Sequence, residues 1–544
     1  MSTDEKDKEV MKERPQIYFK NIKFNDNTEL LLEKNSIVVF TGANNCGKSQ
    51  VLKDIEASLD CTNHIESVVV KTSESDYCGE IGEKSFLEEH FYKDAEGKYR
   101  LMEAGYVFET SSLEQFWKGH TLYNNLYKVF VNRLSTEKRL SASNALIRNE
   151  KPEQHPIYRL NKNEELAQRI SDYFCEAFGV DLIVNRNDMR TIPLHVGKAP
   201  DKSSYTINRQ DEYYNIVSKL PKLQDQGDGM RSFASILLHT FTSDYSITLI
   251  DEPEAFLHPP QARILGKMLA QNNPDYRQLF ISTHSEDFLQ GLLDADNNNV
   301  TVIRINREND VNRMSVLQNE RIKELWGNPL LRYSNILSGL FHEKVVACES
   351  DYDCLFYQAV INAMYEKKNE IAPDLLFTHC GGKSRIKDVV KALKAVNVPV
   401  TAISDFDLLN SSQNFKPLAN AFGMNWETEL FPNMRVIYDS MNAKSSKGND
   451  AWAQIKEIGK AGFVGDEPEA YEKVETLCKS KGLFVVPVGE MECFDKTVNK
   501  EKKEWVYHVL ENYDLANEPK LETARKFLQL ICDFKIEESS VCHF

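Results

Sequence analysis

The chain has 544 residues, more than one hydrophobic core usually supports, so two or more domains are expected. Its composition, 41% hydrophobic and 27% charged, is that of a globular protein, and no apolar run approaches the length that spans a bilayer, so no membrane partner is expected. A net charge of −16 opposes indiscriminate coating of nucleic acid, while eleven cysteines scattered without a CxxC pair exclude a zinc ribbon, argue against a disulfide framework and point to a reducing cytoplasm.

Residues 1–15 are charged, lack the apolar centre of a signal peptide and read as a flexible tail. Short apolar strands are predicted over 17–19 and 37–40. The second runs into Gly42-Ala43-Asn44-Asn45-Cys46-Gly47-Lys48-Ser49, with a helix over 50–55 behind it. A strand that feeds a glycine loop and then a helix cradles phosphate: Gly42, Asn45 and Gly47 belong to the loop whose backbone N–H groups approach the oxygens, Lys48 supplies charge at the terminal phosphates, and Ser49 can ligate Mg²⁺. The stretch 65–220 mixes aromatic, acidic and short apolar segments without heptads and reads as the rest of an ATPase head with a helical insertion.

The apolar run Ile247-Thr248-Leu249-Ile250 ends in Asp251-Glu252. Asp251 would hold Mg²⁺ through water and Glu252 would orient or deprotonate the attacking water; an acidic pair opening a helix gives the same string. A helix over 260–271, a strand over 278–283 leading to His284, and a strand over 300–305 that closes the domain are predicted next, then a connecting helix over 320–340, broken near 327–329. New strands over 344–348, 375–380, 399–404 and 483–488 alternate with helices, which predicts a parallel sheet whose ligands collect at the strand C-terminal ends. Glu349 and Asp353 follow the first of these strands, and Asp405 and Asp407 follow the third. Two acids one residue apart point the same way as a strand exits, and a Glu from a neighbouring strand completes an oxygen-rich Mg²⁺ site, although first-turn helix acids produce each cluster singly. Which of Asp351 and Asp353 faces the metal stays open. Two basic runs, 383–394 and 496–503, have the spacing of solvated helix faces, and 501–544 reads as a C-terminal helical segment.

Three of these segments resemble the ABC-type ATPase heads of the SMC/RecF/OLD group: Gln226-Gly227-Asp228-Gly229-Met230-Arg231-Ser232, the stretch from Asp251-Glu252-Pro253 to His258-Pro259, and Ser282-Thr283-His284-Ser285. The resemblance implies that Gly229 and Ser232 reach ATP bound by a second copy, that His284 contacts the γ-phosphate, and that the protein is a homodimer or higher homo-oligomer. The downstream acids resemble those of a Toprim domain, with Ser350 where that family has glycine. Gly381-Gly382-Lys383 is similar to its glycine-lysine turn, with Lys383 at a phosphate, and Gly489-Glu490-Met491-Glu492 to its Gly-Glu-x-Glu segment, which adds Glu490 and Glu492 to the metal ligands.

A head over 16–335 followed by Toprim over 340–500 resembles the architecture of OLD-family nucleases. The implied fold is α/β, a P-loop ATPase head with a helical insertion followed by a Rossmann-like Toprim domain with a parallel sheet. The implied cofactors are ATP and Mg²⁺, with Mn²⁺ as an alternative at the Toprim site, and the implied activity is DNA endonuclease. Many members of that family serve in anti-phage defence, some beside a reverse transcriptase and its RNA–DNA product, which the resemblance adds to the implied partners. The alternative is an SMC/RecF-like DNA sensor or scaffold with a non-catalytic Toprim domain.

Overall fold

The computed structural model describes residues 15–61, 67–79, 83–101, 106–122, 125–148, 155–201, 210–308, 311–317, 337–445 and 451–535. Of the expected tail only Pro15, and of the expected connecting helix only 337–340, lie within these residues. The chain divides into two compact units, Met1–Asn319 and Glu320–Phe544.

The first unit opens with β1 (Gln16–Phe24), β2 (Glu29–Leu31), β3 (Ile37–Thr41), α1 (Lys48–Ala57) and β4 (Val70–Cys78). It continues with β5 (Val131–Leu134), α2 (Thr136–Ser141), α3 (Glu164–Phe178), α4 (Asp228–Thr242), β6 (Ile247–Asp251), α5 (Pro259–Gln271), β7 (Gln278–Ser282), α6 (Glu286–Asp294), β8 (Val300–Glu308) and β9 (Val311–Leu317). A six-stranded sheet runs in the order β9-β8-β3-β7-β6-β5, parallel except at the β9 edge, which pairs antiparallel to β8. β3, β6 and β7 are continuous β-branched and aliphatic runs because both faces of a central parallel strand are covered. β1, β2 and β4 form a separate antiparallel sheet whose inward residues Phe19, Ile22 and Phe24 join the same core as Val38, Phe40 and Leu249.

One expectation is corrected here. The closing strand, read as 300–305, is followed by a further strand, β9, that carries the sheet one position outward. Within the stretch 65–220, β5 pairs parallel to β6 as the other edge of the six-stranded sheet, and short antiparallel pairs form as well, such as Asp181–Val184 with Leu194–Gly197. A strand of four residues carries too short a period to stand out in sequence from mixed flanks.

The second unit contains β10 (Lys344–Cys348), α7 (Asp351–Lys368), β11 (Leu375–His379), α8 (Lys383–Ala395), β12 (Val400–Ser404), α9 (Phe431–Ser445), α10 (Glu467–Ser480), β13 (Leu483–Val485), α11 (Lys502–Asn512) and α12 (Glu522–Asp533). Its four strands are all parallel, in the order β11-β10-β12-β13, as the alternating pattern predicts. The 501–535 part of the expected C-terminal segment is helical but is no appendage; 536–544 lie outside the described residues. Trp505, Val506 and Val509 of α11 and Phe527, Leu528 and Ile531 of α12 pack with Phe356 and Val360 of α7 in one core. The α/β class with a parallel sheet therefore holds in both units.

Candidate functional site

Two clusters of polar residues lie at the C-terminal ends of parallel strands, one in each unit. In the first, the loop between β3 and α1 takes left-handed backbone at Gly42 (φ 141°), Asn45 (φ 61°) and Gly47 (φ 103°). A Cβ at Gly42 would lie 2.2 Å from the carbonyl oxygen of Ile305, and one at Gly47 2.8 Å from Nδ2 of Asn312, so glycine is required at both places. Asn312, on β9, donates to the carbonyl of Cys46 and braces the loop from behind. No side chain caps α1, which leaves its first N–H groups facing the loop. Lys48 folds over the same loop, donating to the carbonyls of Gly42 (2.6 Å) and Ala43 (2.7 Å), and burial lowers its pKa.

The acid pair meets this loop from β6. Ser49 Oγ donates to Asp251 Oδ1 at 2.9 Å, and Ser282 at the end of β7 donates to the same oxygen. Glu252 has φ 48°, a conformation that side chains with a Cβ rarely take, and it is held by its N–H on the Ser282 carbonyl (3.0 Å) and by His284 Nε2 at 3.2 Å from its Oε1. Glu254 accepts from the His284 N–H at 2.7 Å, and burial raises its pKa. Beneath the pair the fully buried Arg139 of α2 donates from Nη1 to the Asp251 carbonyl at 2.7 Å. The residues fit a nucleotide with its cation. The cradle is one that any Cβ would fill, and a hydroxyl and a carboxylate already meet where a phosphate-bound Mg²⁺ takes its protein ligands.

Gly42, Asn45, Gly47, Lys48, Ser49, Asp251, Glu252 and His284 are thus drawn together. Gly229 and Ser232 stand apart, on α4: a Cβ at Gly229 would meet the Phe256 carbonyl at 2.6 Å, and Ser232 is fully buried with its hydroxyl unpaired. Ser232 therefore faces the interior of its own unit, and the surface-facing residues of this segment are Gly227 and Asp228.

In the second unit β10 and β12 are neighbours, so the acids that follow them meet. Glu349 Oε1 accepts from Ser404 Oγ at 2.7 Å and from the Asp405 N–H at 3.1 Å. Asp353 caps α7 through Ser350, accepting from its N–H (2.9 Å) and hydroxyl (3.0 Å), while its other oxygen lies 2.6 Å from Lys502 Nζ. Asp353 is buried and Asp351 exposed, which settles their order: Asp353 is the one that faces the cluster. Lys502 also lies 3.8 Å from Asp405, Lys383 pairs with Asp407, and Lys456 is 2.8 Å from Glu490. Among the described residues Asp353, Asp405, Asp407 and Glu490 thus each have an ammonium partner.

Burial raises the pKa of Glu349, Glu492 and, most strongly, Asp405, with neighbouring carboxylates adding to the rise at all three. Lys502 is shifted upward by Asp405 and Asp353, against the effect of its own burial. Asp407 Oδ1 and Glu492 Oε2 are buried without a hydrogen-bond partner. Tyr357 on α7 is likewise buried with its hydroxyl unpaired, in the field of Asp353 and Asp405. Orphaned carboxylate oxygens in a field of excess negative charge are the donor chemistry of a hard divalent cation. Among the described residues, however, no three acidic, cysteine or histidine side chains converge on one ion position. Lys383, Lys456 and Lys502 instead pair with Asp407, Glu490, Asp353 and Asp405.

Arg139, Asn312, Lys502, Lys456 and Tyr357 were not among the expected site residues. Arg139 lacks any local signal, since a lone arginine in a short helix is ordinary. Lys502 was visible within the basic run 496–503 but not its inward direction, which packing of α11 against α7 sets.

The family described as "AAA domain, putative AbiEii toxin, Type IV TA system" matches residues 135–289, the segment that holds Arg139, Asp251, Glu252 and His284. The Old nuclease of Escherichia phage P2 is 22% identical over 276 residues, covering 48% of this chain and 45% of that protein. The OLD nuclease of Thermus scotoductus is 28% identical over 171 residues, covering 29% of this chain and 30% of that protein. The likeness to OLD-family nucleases read from the motifs is borne out, and the chain spans less than half the length of the curated relatives it matches. Slighter likenesses run to an SMC head bound to the C-winged helix domain of ScpA (11% identity, TM-score 0.33, 56% of this chain and 99% of that one) and to the SMC head domain from Thermotoga maritima (12%, 0.28, 55% and 98%).

Proposed function

We propose that the chain is an ATP-binding, divalent-metal-dependent DNA endonuclease of the OLD kind. The observation that carries this reading is the set of carboxylates gathered at adjacent parallel-strand ends, with Asp353 and Asp405 buried and Glu349 and Asp407 half-buried, in the same chain as a phosphate cradle. In the first unit Lys48 and the loop N–H groups bind phosphate, Ser49 and Asp251 hold Mg²⁺, and Glu252, steadied by His284, takes a proton from or orients the attacking water. By analogy with related heads, ATP would lie between two copies, bringing the Gly229 segment of the second copy to it.

In the second unit Glu349, Asp353, Asp405 and Asp407, with Glu490 and Glu492, would hold Mg²⁺ or Mn²⁺, which when bound stabilises the attacking and leaving oxygens of phosphodiester hydrolysis. Glu349 orients the Asp405 backbone through its N–H, and Lys383 and Lys502 balance charge before and after the cation arrives. The biological setting we propose is anti-phage defence in the cytoplasm, with a reverse transcriptase and its RNA–DNA product as candidate partners. No helix of the described residues is long and apolar enough to cross a membrane.

The test is cleavage of supercoiled and linear DNA with Mg²⁺ or Mn²⁺, with and without ATP. Asp405→Ala is expected to lower cleavage by about 10³-fold or more, as removal of a central electrostatic group does, while leaving ATP binding intact; cleavage that survives overturns the assignment. Lys48→Ala is expected to abolish ATP binding and to change cleavage only as far as the head gates it. A second reading, an ATP-dependent DNA sensor or scaffold whose second unit is not catalytic, is favoured by the lysines already paired with Asp353, Asp405 and Asp407. Calorimetry that detects no Mg²⁺ or Mn²⁺ binding at Asp405 would select it.

A further inference from the structure

The run 383–394 carries five basic residues, Lys383, Arg385, Lys387, Lys391 and Lys394, against one acid, Asp388, in a chain whose net charge is −16. On α8 the apolar side is buried through Ile386, Val389, Val390 and Leu393. Lys383, Lys387 and Lys391 recur every four residues, about 6 Å per step along the axis, so they lie along one stripe. The stripe begins in the acid cluster: Lys383 pairs with Asp407, and the Gly382 N–H donates to the Glu349 carbonyl at 2.9 Å. Arg385 folds back at the same mouth, its Nη1 3.3 Å from where a Cβ on Gly381 would stand. Among the described residues Arg385, Lys387 and Lys391 form no ion pair, although elsewhere lysines of this unit pair one turn away, as Lys473 does with Glu469 and Lys526 with Glu522. Lys394, by contrast, sets its Nζ 4.8 Å from the centre of the Phe422 ring and ends the stripe. The other basic run is interrupted by Glu501 and followed by Glu504, and presents no comparable stripe.

From this placement we infer that the α8 face bearing Lys387 and Lys391, which starts at Lys383 beside the acids, is the docking track for the phosphodiester backbone of the DNA whose scissile phosphate enters the carboxylate cluster. The inference rests on the nuclease reading for what happens to that phosphate, but not for the docking itself. Cations left without carboxylate partners on a helix that starts at the site lower the cost of bringing a polyanion against an otherwise acidic protein. They fix position and carry no base readout.

The experiment measures binding of the full-length protein to a duplex DNA in EDTA, where cleavage is absent, over a range of salt. The Lys387→Ala/Lys391→Ala protein is expected to bind at least tenfold more weakly at low salt, with the slope of log K against log salt shallower by about 1.8, since each lost phosphate contact removes about 0.9. Lys387→Arg/Lys391→Arg keeps the charge and should retain the slope. Lys473→Ala/Lys526→Ala removes the same charge elsewhere and should leave the slope unchanged. A shallower slope on DNA alone, or on DNA and an RNA duplex alike, supports the track and tells which backbone it takes. A slope equal to that of the unmodified protein on both, an equal loss in the control pair, or no binding by the unmodified protein overturns it. Because the readout excludes cleavage, failure of the Asp405→Ala test would sink the nuclease reading and leave this result standing.

Discussion

Arg139 is the residue whose role is least visible from its neighbours in sequence and most visible from its position. It is fully buried, its guanidinium pKa is lowered by burial, and it holds the carbonyl of Asp251, the residue before the left-handed Glu252. Loss of that bond frees the peptide that sets Glu252 against His284. Arg139→Met is therefore expected to reduce ATP turnover by about tenfold, some 1.4 kcal/mol of barrier, with a smaller change in ATP affinity. Parallel kcat and nucleotide-binding measurements check this, and equal losses in both would refute a positioning role. The phosphate loop itself could be read directly, because a glycine string between strand and helix encodes both the φ > 0 backbone and the helix start.

At the scale of elements, α5 and α6 approach so closely that two glycines become obligatory. A Cβ at Gly291 would lie 2.0 Å from the Arg263 carbonyl, and one at Gly266 2.3 Å from that of Phe288. Gly291→Ala is expected to cost about 1–3 kcal/mol, since helices packed backbone to backbone have no flexible side chain to yield. Urea unfolding followed by circular dichroism would show it, and an unchanged midpoint would contradict the packing. β10 and β12 were legible as apolar runs ending in polar punctuation, because buried parallel strands have no alternation to disguise them, and the edge strand β11 was legible by its Leu-Leu-Phe run. β5 and β9 were not, since a four-residue strand and an edge strand take their conformation from the neighbour they pair with.

On the scale of the whole molecule, the second unit closes its own core only with α11 and α12 included. A fragment spanning 320–544 is therefore expected to unfold in one cooperative transition. A fragment ending at residue 500 would lose Trp505, Val506, Val509, Leu521, Phe527, Leu528 and Ile531 from that core and should not show one. Thermal denaturation of the two fragments decides between this and a dispensable C-terminal segment. The same truncation removes Lys502, so the cluster would lose the cation that now sits between Asp353 and Asp405.

The sequence by itself determined the α/β class, the phosphate loop, the acids at strand ends and the basic stripe of α8, because each is written in local order: a period, a turn or a charge spacing. Only tertiary structure decided that Asp353 rather than Asp351 faces inward, that Ser232 is buried, and that Arg139, Asn312 and Lys502 complete the two sites. Those choices depend on which helix face packs and on which strands become neighbours. The contacts involved join residues 112 positions apart, as in Arg139 with Asp251, or 266 apart, as in Cys46 with Asn312, separations at which local spacing carries no information.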